Sequence, residues 1–289
     1  MKENIYGSPE YIEKKEEILS LFGTDMTKFN AKTAIRNRID YLKGFIRTNG
    51  LKGFVLGISG GVDSTTAGRL AQLACEELRS EGVDAKFVAM RLPAGVQFDE
   101  ADAQEAIKFI NSDVTLTVNI GETANILNQE CLNAFNQVGT NLSDKQADFH
   151  KGNAKARIRM SAQYYVAGAY SMAVISTDHF SEAATGFFTK FGDGAADLTV
   201  LDGLIKTQVR LVAKELGAPA SLWAKAPTAD LEELNPGKLD DVGFGFPYDA
   251  LDDFLMGKKI DPVIEQKIVR QYVITQHKRD PIVSFMSSI

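Results

Sequence analysis

The chain is poor in the residues on which several classes of function depend. Its 289 residues include two cysteines, one tryptophan and three histidines. Cys75 and Cys131 stand far apart with no second thiol nearby, which excludes a cysteine redox pair or cysteine zinc site and leaves both as ordinary apolar residues. No apolar run approaches the roughly 18 residues that span a bilayer. The opening MKENIYGSPEYIEKKEE carries too much charge for the apolar centre of a secretion signal, so a cytoplasmic protein is expected. An excess of positive charge is also missing: 32 Lys and Arg stand against 38 Asp and Glu, a net charge of -6. That balance argues against a broad grip on nucleic acid or an anionic membrane and favours a small-molecule partner.

What is present is an alternation of apolar patterns. With 44% hydrophobic residues the chain can bury a large core. Helical spacing over Ser8–Phe22 and Lys32–Thr48 predicts two leading helices. Short apolar runs at Gly53–Ser59, Ala85–Leu92, Val114–Ile120 and Met172–Ser176 read as strands covered on both faces. Between and after them, helices are expected at Asp63–Ser80, Glu100–Asn111, Asn125–Asn136, Asn153–Ser171 and Lys206–Leu216, with further helices near Leu251 and over Val263–Gln276. Strand and helix alternating at this spacing imply right-handed crossovers and an α/β fold with a doubly wound parallel sheet. We expect one domain over 1–289: a helical extension to about residue 50, an α/β core to about 220 and a helical C-terminal segment.

At the end of the first strand and the start of its helix stands SGGVDST, Ser59 to Thr65. Ligands of open parallel sheets bind at the carboxyl ends of strands. Gly60 and Gly61 free the backbone to take positive φ and bring N–H groups close to an anion, the helix N-terminus adds partial positive charge, and Ser59, Ser64 and Thr65 add hydroxyls. These are the parts of a phosphate cradle. It lacks the Gly-Lys-Ser/Thr ending of the common ATPase loop and the Gly-x-Gly-x-x-Gly of dinucleotide folds. Asp63, an acid among phosphate-binding groups, would repel the ligand unless a cation intervened, so Mg²⁺ ligation suits it; its alternative is to cap the helix.

SGGVDST resembles the SGGxDS signature of the ATP-pyrophosphatase superfamily, whose members split ATP into AMP and pyrophosphate while activating an oxygen as its adenylate. A second cluster narrows the likeness. STDHFSEAATGFFTKFGDGAADL, Ser176 to Leu198, is similar to the GTDHAAEAxTGFFTKxGDGGxD segment of the NAD synthetase family. RLPAGVQFDEADAQEAIKFI, KGNAKARIRMSAQY, KAPTADLEE and QHKRDP resemble that family in the same order. The resemblance covers nearly the whole chain and implies a Rossmann-like ATP-pyrophosphatase fold that converts deamido-NAD, ATP and ammonia into NAD, AMP and pyrophosphate.

Carried over position by position, the resemblance implies an ATP site at Ser59, Gly60, Gly61, Val62, Asp63, Ser64, Thr177, Lys206 and Thr228, with Arg91 beside the adenosine. It implies Mg²⁺ on Asp63 and Glu182, and deamido-NAD on Arg157, Lys190, Asp197, His277 and Lys278. Asp63, Lys190 and Asp197 are the expected catalytic residues; Lys190 and Asp197 lie in a glycine-rich loop that can close over an adenylate, and Asp197 can accept the proton that ammonium gives up. His179 reads as a structural hydrogen-bonder and is left out of catalysis. A homodimer is implied, with the leading helices or the Asn153–Ser171 helix as its contact.

Four features depart from the family pattern. Ser176 replaces a glycine, Phe180-Ser181 replaces two small residues, Ala195 stands where a second glycine is usual, and no basic residue follows Lys206. Ala195 would be strained by about 1 kcal/mol if its φ were positive. Rival readings are a non-catalytic ATP-binding sensor and another ATP-pyrophosphatase adenylating a different acceptor. Transfer-RNA-modifying members need a basic docking surface that is not evident here. Glutamine-using relatives carry an extra hydrolase domain, for which the length leaves no room, so free ammonia is the expected donor.

Overall fold

In the computed structural model the described residues are 7–95, 100–226, 228–229, 231–235 and 237–285, with the backbone alone described at 228, 229, 238–240 and 244. Helix α1 (Pro9–Phe22) starts where Ser8 accepts the N–H of Tyr11 and Pro9 supplies a preset φ. A 3₁₀ turn at Met26–Lys28 leads to α2 (Ala31–Asn49), capped by Asn30 and stopped by Gly50 at φ 64. The core follows as β1 (Gly53–Gly57), α3 (Val62–Ser80), β2 (Lys86–Arg91), α4 (Glu100–Ile110), β3 (Val114–Thr117), α5 (Gly121–Gln137), α6 (Asp144–Tyr170) and β4 (Ala173–Ser176). Then come α7 (Phe180–Thr185), β5 (Leu198–Thr199), α8 (Lys206–Glu215), α9 (Ala220–Trp223), a small ribbon of β6 (Thr228–Ala229) and β7 (Lys238–Leu239), α10 (Asp240–Phe244), α11 (Tyr248–Leu255), α12 (Pro262–Ile274) and α13 (Gln276–Arg279).

The five core strands run parallel in the order β3-β2-β1-β4-β5, so the chain reverses its winding between β1 and β4. The doubly wound α/β sheet expected from the sequence is therefore present. Alternation along β1 divides the interior: Phe54, Leu56 and Ile58 join Phe87 and Ala89 under α2, α3 and α8, whereas Val55 joins Val88, Met90 and Val174 on the side of α6. A further apolar cluster ties α1 to α7, α11 and α12 through Tyr11, Ile18, Ala184, Leu251, Phe254 and Ile268. Among the described residues no helix is long and apolar enough to cross a membrane.

One expectation is corrected and one is extended. The long helix begins at Asp144 rather than Asn153, because Ser143 and Gln146 form a reciprocal capping box ahead of it. The glycine-rich stretch is loop and turn from Gly186 to Asp197, as expected, but it is bracketed by α7 and β5, which were not expected because both are too short for periodicity to reveal.

Candidate active site

At the switch point β1 and β4 pair only as far as Val55 and Val174, so backbone groups beyond that register need other partners. Gln163 on α6 accepts the N–H of Gly57 at 2.7 Å; on the other side of β4, just ahead of its pairing with β5, Asp197 accepts the N–H of Val174 at 2.7 Å. The opening left between the diverging strands holds the SGGVDST loop.

Gly60 has φ +92, and a Cβ there would stand 2.7 Å from the backbone nitrogen of Ala103 on α4. Gly61 is different from its expected role: its φ is −76, and it is the extended N-cap of α3 rather than a second positive-φ residue. One left-handed residue completes the turn, after which the backbone can enter the helix directly. Ser59 Oγ accepts the N–H of Gly61 at 3.2 Å and lies 3.1 Å from Ser64 Oγ, while Thr65 Oγ1 donates to the Gly61 carbonyl at 2.8 Å. Asp63 does not cap the helix; its carboxylate points across the opening.

Two chain segments bring charged groups to that carboxylate and a third closes over them. Lys206, the first residue of α8, places Nζ 2.6 Å from Asp63 Oδ2 and 3.8 Å from Glu182 Oε1. His179, the N-cap of α7, places Nε2 3.5 Å from Asp63 Oδ1, 3.4 Å from Glu182 Oε1 and 3.4 Å from Lys206 Nζ. Tyr248 of α11 closes the cluster, its hydroxyl donating to Glu182 at 3.2 Å and its ring centroid 4.9 Å from Lys206 Nζ. The Lys206 and His179 side chains are 1% and 0% exposed, so this is an electrostatic cluster screened little by water.

Burial opposes charge on both His179 and Glu182, yet each is drawn toward its ionised form by the other: the imidazole is raised from its ordinary value and the Glu182 carboxyl is lowered, with Lys206 assisting the latter. Asp178 goes the other way, its carboxyl pushed well above the usual range by burial and the neighbouring charge of Glu182. Asp63 Oδ1 is buried without a hydrogen-bond donor. It, His179 and Glu182 each offer a ligand atom, all within 4.8 Å of one another. Two carboxylates and an orphaned oxygen fit a hard divalent cation.

These groups open into a cavity of about 530 Å³. Ser59, Gly61, Val62, Asp63, Ser64, Thr177, Glu182, Lys206 and Lys278 line it, as do Ser176, Gly152, Asn153, Phe187, Phe188 and Ala195. Thus most of the residues implied for ATP share one wall, and Gly60 shapes it from beneath. Arg91 is not on that wall: it is 2% exposed and donates to the Ile58 carbonyl at 2.9 Å and to Glu100, bracing the strand ends. The Thr228 side chain lies outside the described residues.

The residues implied for deamido-NAD form a flank. Arg157 Nε donates to the Lys190 carbonyl at 3.3 Å, Lys190 Nζ donates to the carbonyl of His277, and Lys278 Nζ donates to the carbonyls of Gly186 and Phe188 at 2.7 Å each. Of the five, Lys278 alone lines the cavity. Asp197 is exposed and clasps the sheet edge, with Tyr164 Oη 3.4 Å from its second oxygen.

Three of the four departures from the family pattern have local accounts. Ala195 does not take positive φ and is unstrained. Ser176 Oγ accepts the N–H of Asp178 at 3.0 Å, and Phe180 meets Phe22 edge-on at 5.3 Å. Ser181 donates to Asp252 at 2.7 Å. Sequence reading missed the cluster roles of His179, Tyr248 and Asp252. The three-residue step from His179 to Glu182 was the one signal for the first; nothing local marks the other two.

The comparisons agree with this geometry. The family model for NAD synthase matches residues 34–287. An NH(3)-dependent NAD(+) synthetase of Paraburkholderia phytofirmans is 53% identical over 253 residues, 87% of either chain. The crystal structure of an NAD+ synthetase from Burkholderia pseudomallei superposes with TM-score 0.79 at 45% identity, covering 94% of this chain and 98% of that one. An NMN synthetase structure from Francisella tularensis gives TM-score 0.74 at 32% identity over 89% and 99% of the two chains. A family match over most of the chain, on a parallel sheet whose winding reverses between β1 and β4, places this chain in the NAD synthase family.

Proposed function

We propose that this chain is an ammonia-dependent NAD synthetase, a ligase that amidates deamido-NAD through an NAD-adenylate and releases AMP and pyrophosphate. The observation that carries the reading is the phosphate loop facing Asp63, Glu182 and Lys206 across one cavity. The chemistry requires it. A nicotinate carboxylate is a poor acyl donor because its leaving group would be oxide, whereas AMP leaves readily from an acyl-adenylate. Its formation needs two anionic substrates brought together and charge on pyrophosphate stabilised.

In this reading Ser59 to Ser64 hold ATP phosphates with backbone N–H and hydroxyl donors, Thr177 and Thr228 complete the ATP site, and Arg91 supports its floor. Asp63 and Glu182 hold Mg²⁺, which supplies charge screening between the two substrates. Lys206 donates to phosphate oxygens as negative charge moves onto the leaving group. Arg157, Lys190, Asp197, His277 and Lys278 take deamido-NAD, and the glycine-rich segment excludes water from the adenylate. Asp197 accepts the proton that ammonium loses before attack.

The chain acts in the cytoplasm as a homodimer in this reading. Of the two contacts expected, we favour the long helix α6 together with α5, which expose Ile126, Phe135, Phe149 and Tyr165, over α1 and α2, which expose Ile12, Leu21 and Tyr41 but spend Tyr11, Ile18, Ile39, Leu42 and Ile46 inside the chain.

The test is to follow AMP, pyrophosphate and the amidated product from purified protein given ATP, Mg²⁺ and ammonium, with either deamido-NAD or the nicotinate mononucleotide as acceptor. NAD formed from deamido-NAD with ammonium alone is expected. Preference for the mononucleotide would move the assignment to the chemistry of the Francisella protein's name. No pyrophosphate with either acceptor would leave an ATP-binding sensor.

A further inference from the structure

The helix start that carries the lysine at the centre of the site is held by a carboxylate that does not line the cavity. Lys206 opens α8, and the N–H groups of a helix's first turn need acceptors. Ile205, the N-cap, has no side-chain oxygen to offer. The acceptors come instead from distant parts of the chain. Ser181 Oγ takes the N–H of Lys206 at 3.0 Å. Asp252 Oδ2, 45 residues further along, takes the N–H of Thr207 at 2.6 Å and its hydroxyl at 2.7 Å. Asp252 Oδ1 accepts Ser181 Oγ–H, so one carboxylate joins α7, α8 and α11. Asp252 is 1% exposed and Ser181 0%.

One turn before Asp252 on the same face of α11 stands Tyr248, the residue whose ring lies under Lys206 Nζ and whose hydroxyl reaches Glu182. Helix α11 therefore reaches Lys206 from both ends: at the backbone through Asp252, by way of Thr207 and of the Ser181 hydroxyl that holds the Lys206 N–H, and at the ammonium through Tyr248. A buried carboxylate is a costly way to cap a helix unless its direction matters, because burying it must be offset by every one of its hydrogen bonds. Here the bonds fix both the start and the axial rotation of α8, and so the point from which the Lys206 side chain departs.

We infer that Asp252 is a positioning residue for the reaction, setting the place of Lys206 between Asp63 and Glu182 from outside the cavity. This rests on the proposed role of Lys206 in pyrophosphate release. The test is a double-mutant cycle on the full chain with Asp252→Asn and Lys206→Met, reading pyrophosphate release under saturating ATP and deamido-NAD with Mg²⁺, alongside thermal unfolding. Asp252→Asn alone should lower kcat between about tenfold and 100-fold, with the KM for deamido-NAD unchanged. In the Lys206→Met background it should lower kcat no further, while its effect on the melting temperature persists in both backgrounds. Equal loss of kcat with and without Lys206 would overturn the inference. An unchanged rate in Lys206→Met alone would overturn the reading of Lys206 instead. Should Asp252→Asn fail to fold, Thr207→Val, which removes one donor to the same oxygen, should show a smaller loss with the same dependence on Lys206; a loss independent of Lys206 would overturn the inference there too.

Discussion

Asp63 Oδ2 and Lys206 Nζ lie 2.6 Å apart although 143 residues separate them in the chain. The pair spans the sheet's switch point, one partner on the helix after β1 and the other on the helix after β5. With Glu182 beside them, two carboxylates share one ammonium and one buried imidazole.

Removing that ammonium should be felt as both stability and rate. Lys206→Met leaves Asp63 and Glu182 with the His179 imidazole alone between them, a change that costs roughly 3 kcal/mol for a buried cluster. Pyrophosphate release should fall about 100-fold or more. Mg²⁺ should raise the melting temperature of the variant more than that of the parent, because the ion relieves the same repulsion. Calorimetry with and without Mg²⁺ checks this; equal shifts would remove the two carboxylates as its ligands.

The two adjacent glycines of the loop should respond unequally. Gly60→Ala must put a Cβ at positive φ and 2.7 Å from the Ala103 nitrogen, costing more than about 2 kcal/mol. Gly61→Ala meets only Ser59 Oγ at 3.4 Å with φ −76 and should cost under about 1 kcal/mol. Urea unfolding of both variants gives the order, and the reverse order would contradict the loop described here.

Asp197→Asn separates a proton acceptor from a clasp. The amide oxygen can still accept the N–H of Val174, so the edge of the sheet should hold. Adenylation, read as pyrophosphate, should persist while amide formation falls at least about tenfold. Unchanged NAD formation would leave Asp197 a structural residue.

A pH dependence should come from the surface between α2 and α3. Hydrogen bonds from Arg36, and then from Lys43, outweigh burial and hold the Glu77 carboxyl down from 4.5 to about 2. A lowered folded-state pKa contributes stability that is complete above about pH 4.5 and is lost as pH falls toward about 2. Glu77 and Arg36 are partly exposed although Lys43 is buried, so solvent screening leaves a contribution of about 1 kcal/mol. Glu77→Gln should show that cost unchanged between neutral pH and about 5, shrinking below it, in urea titrations across the range.

Cys75 should be chemically silent. Burial pushes its thiol up to about 12, so the thiolate that a disulfide reagent requires is scarce. Native protein treated near neutral pH should leave Cys75 unmodified by peptide mapping, with modification appearing on unfolding.

The alternation of apolar runs and the turn at Gly60 were legible in the chain alone, because strand and helix periodicity and turn chemistry are properties of neighbouring residues. That is why four core strands and the turn between β1 and α3 were found, and why the family motifs marked Asp63, Glu182 and Lys206. The parts that packing settled are those with no local signature. Helix α7 and strand β5 are too short to show a period. His179 looked like a lone histidine until the fold set Asp63 and Lys206 against it. Tyr248 and Asp252 belong to the site only because α11 folds back on α7 and α8 through a cluster of side chains from both ends of the chain. Which distant groups share a buried charge is decided when apolar faces close over them, and that closure is a property of the whole sheet and its helices rather than of any stretch within it.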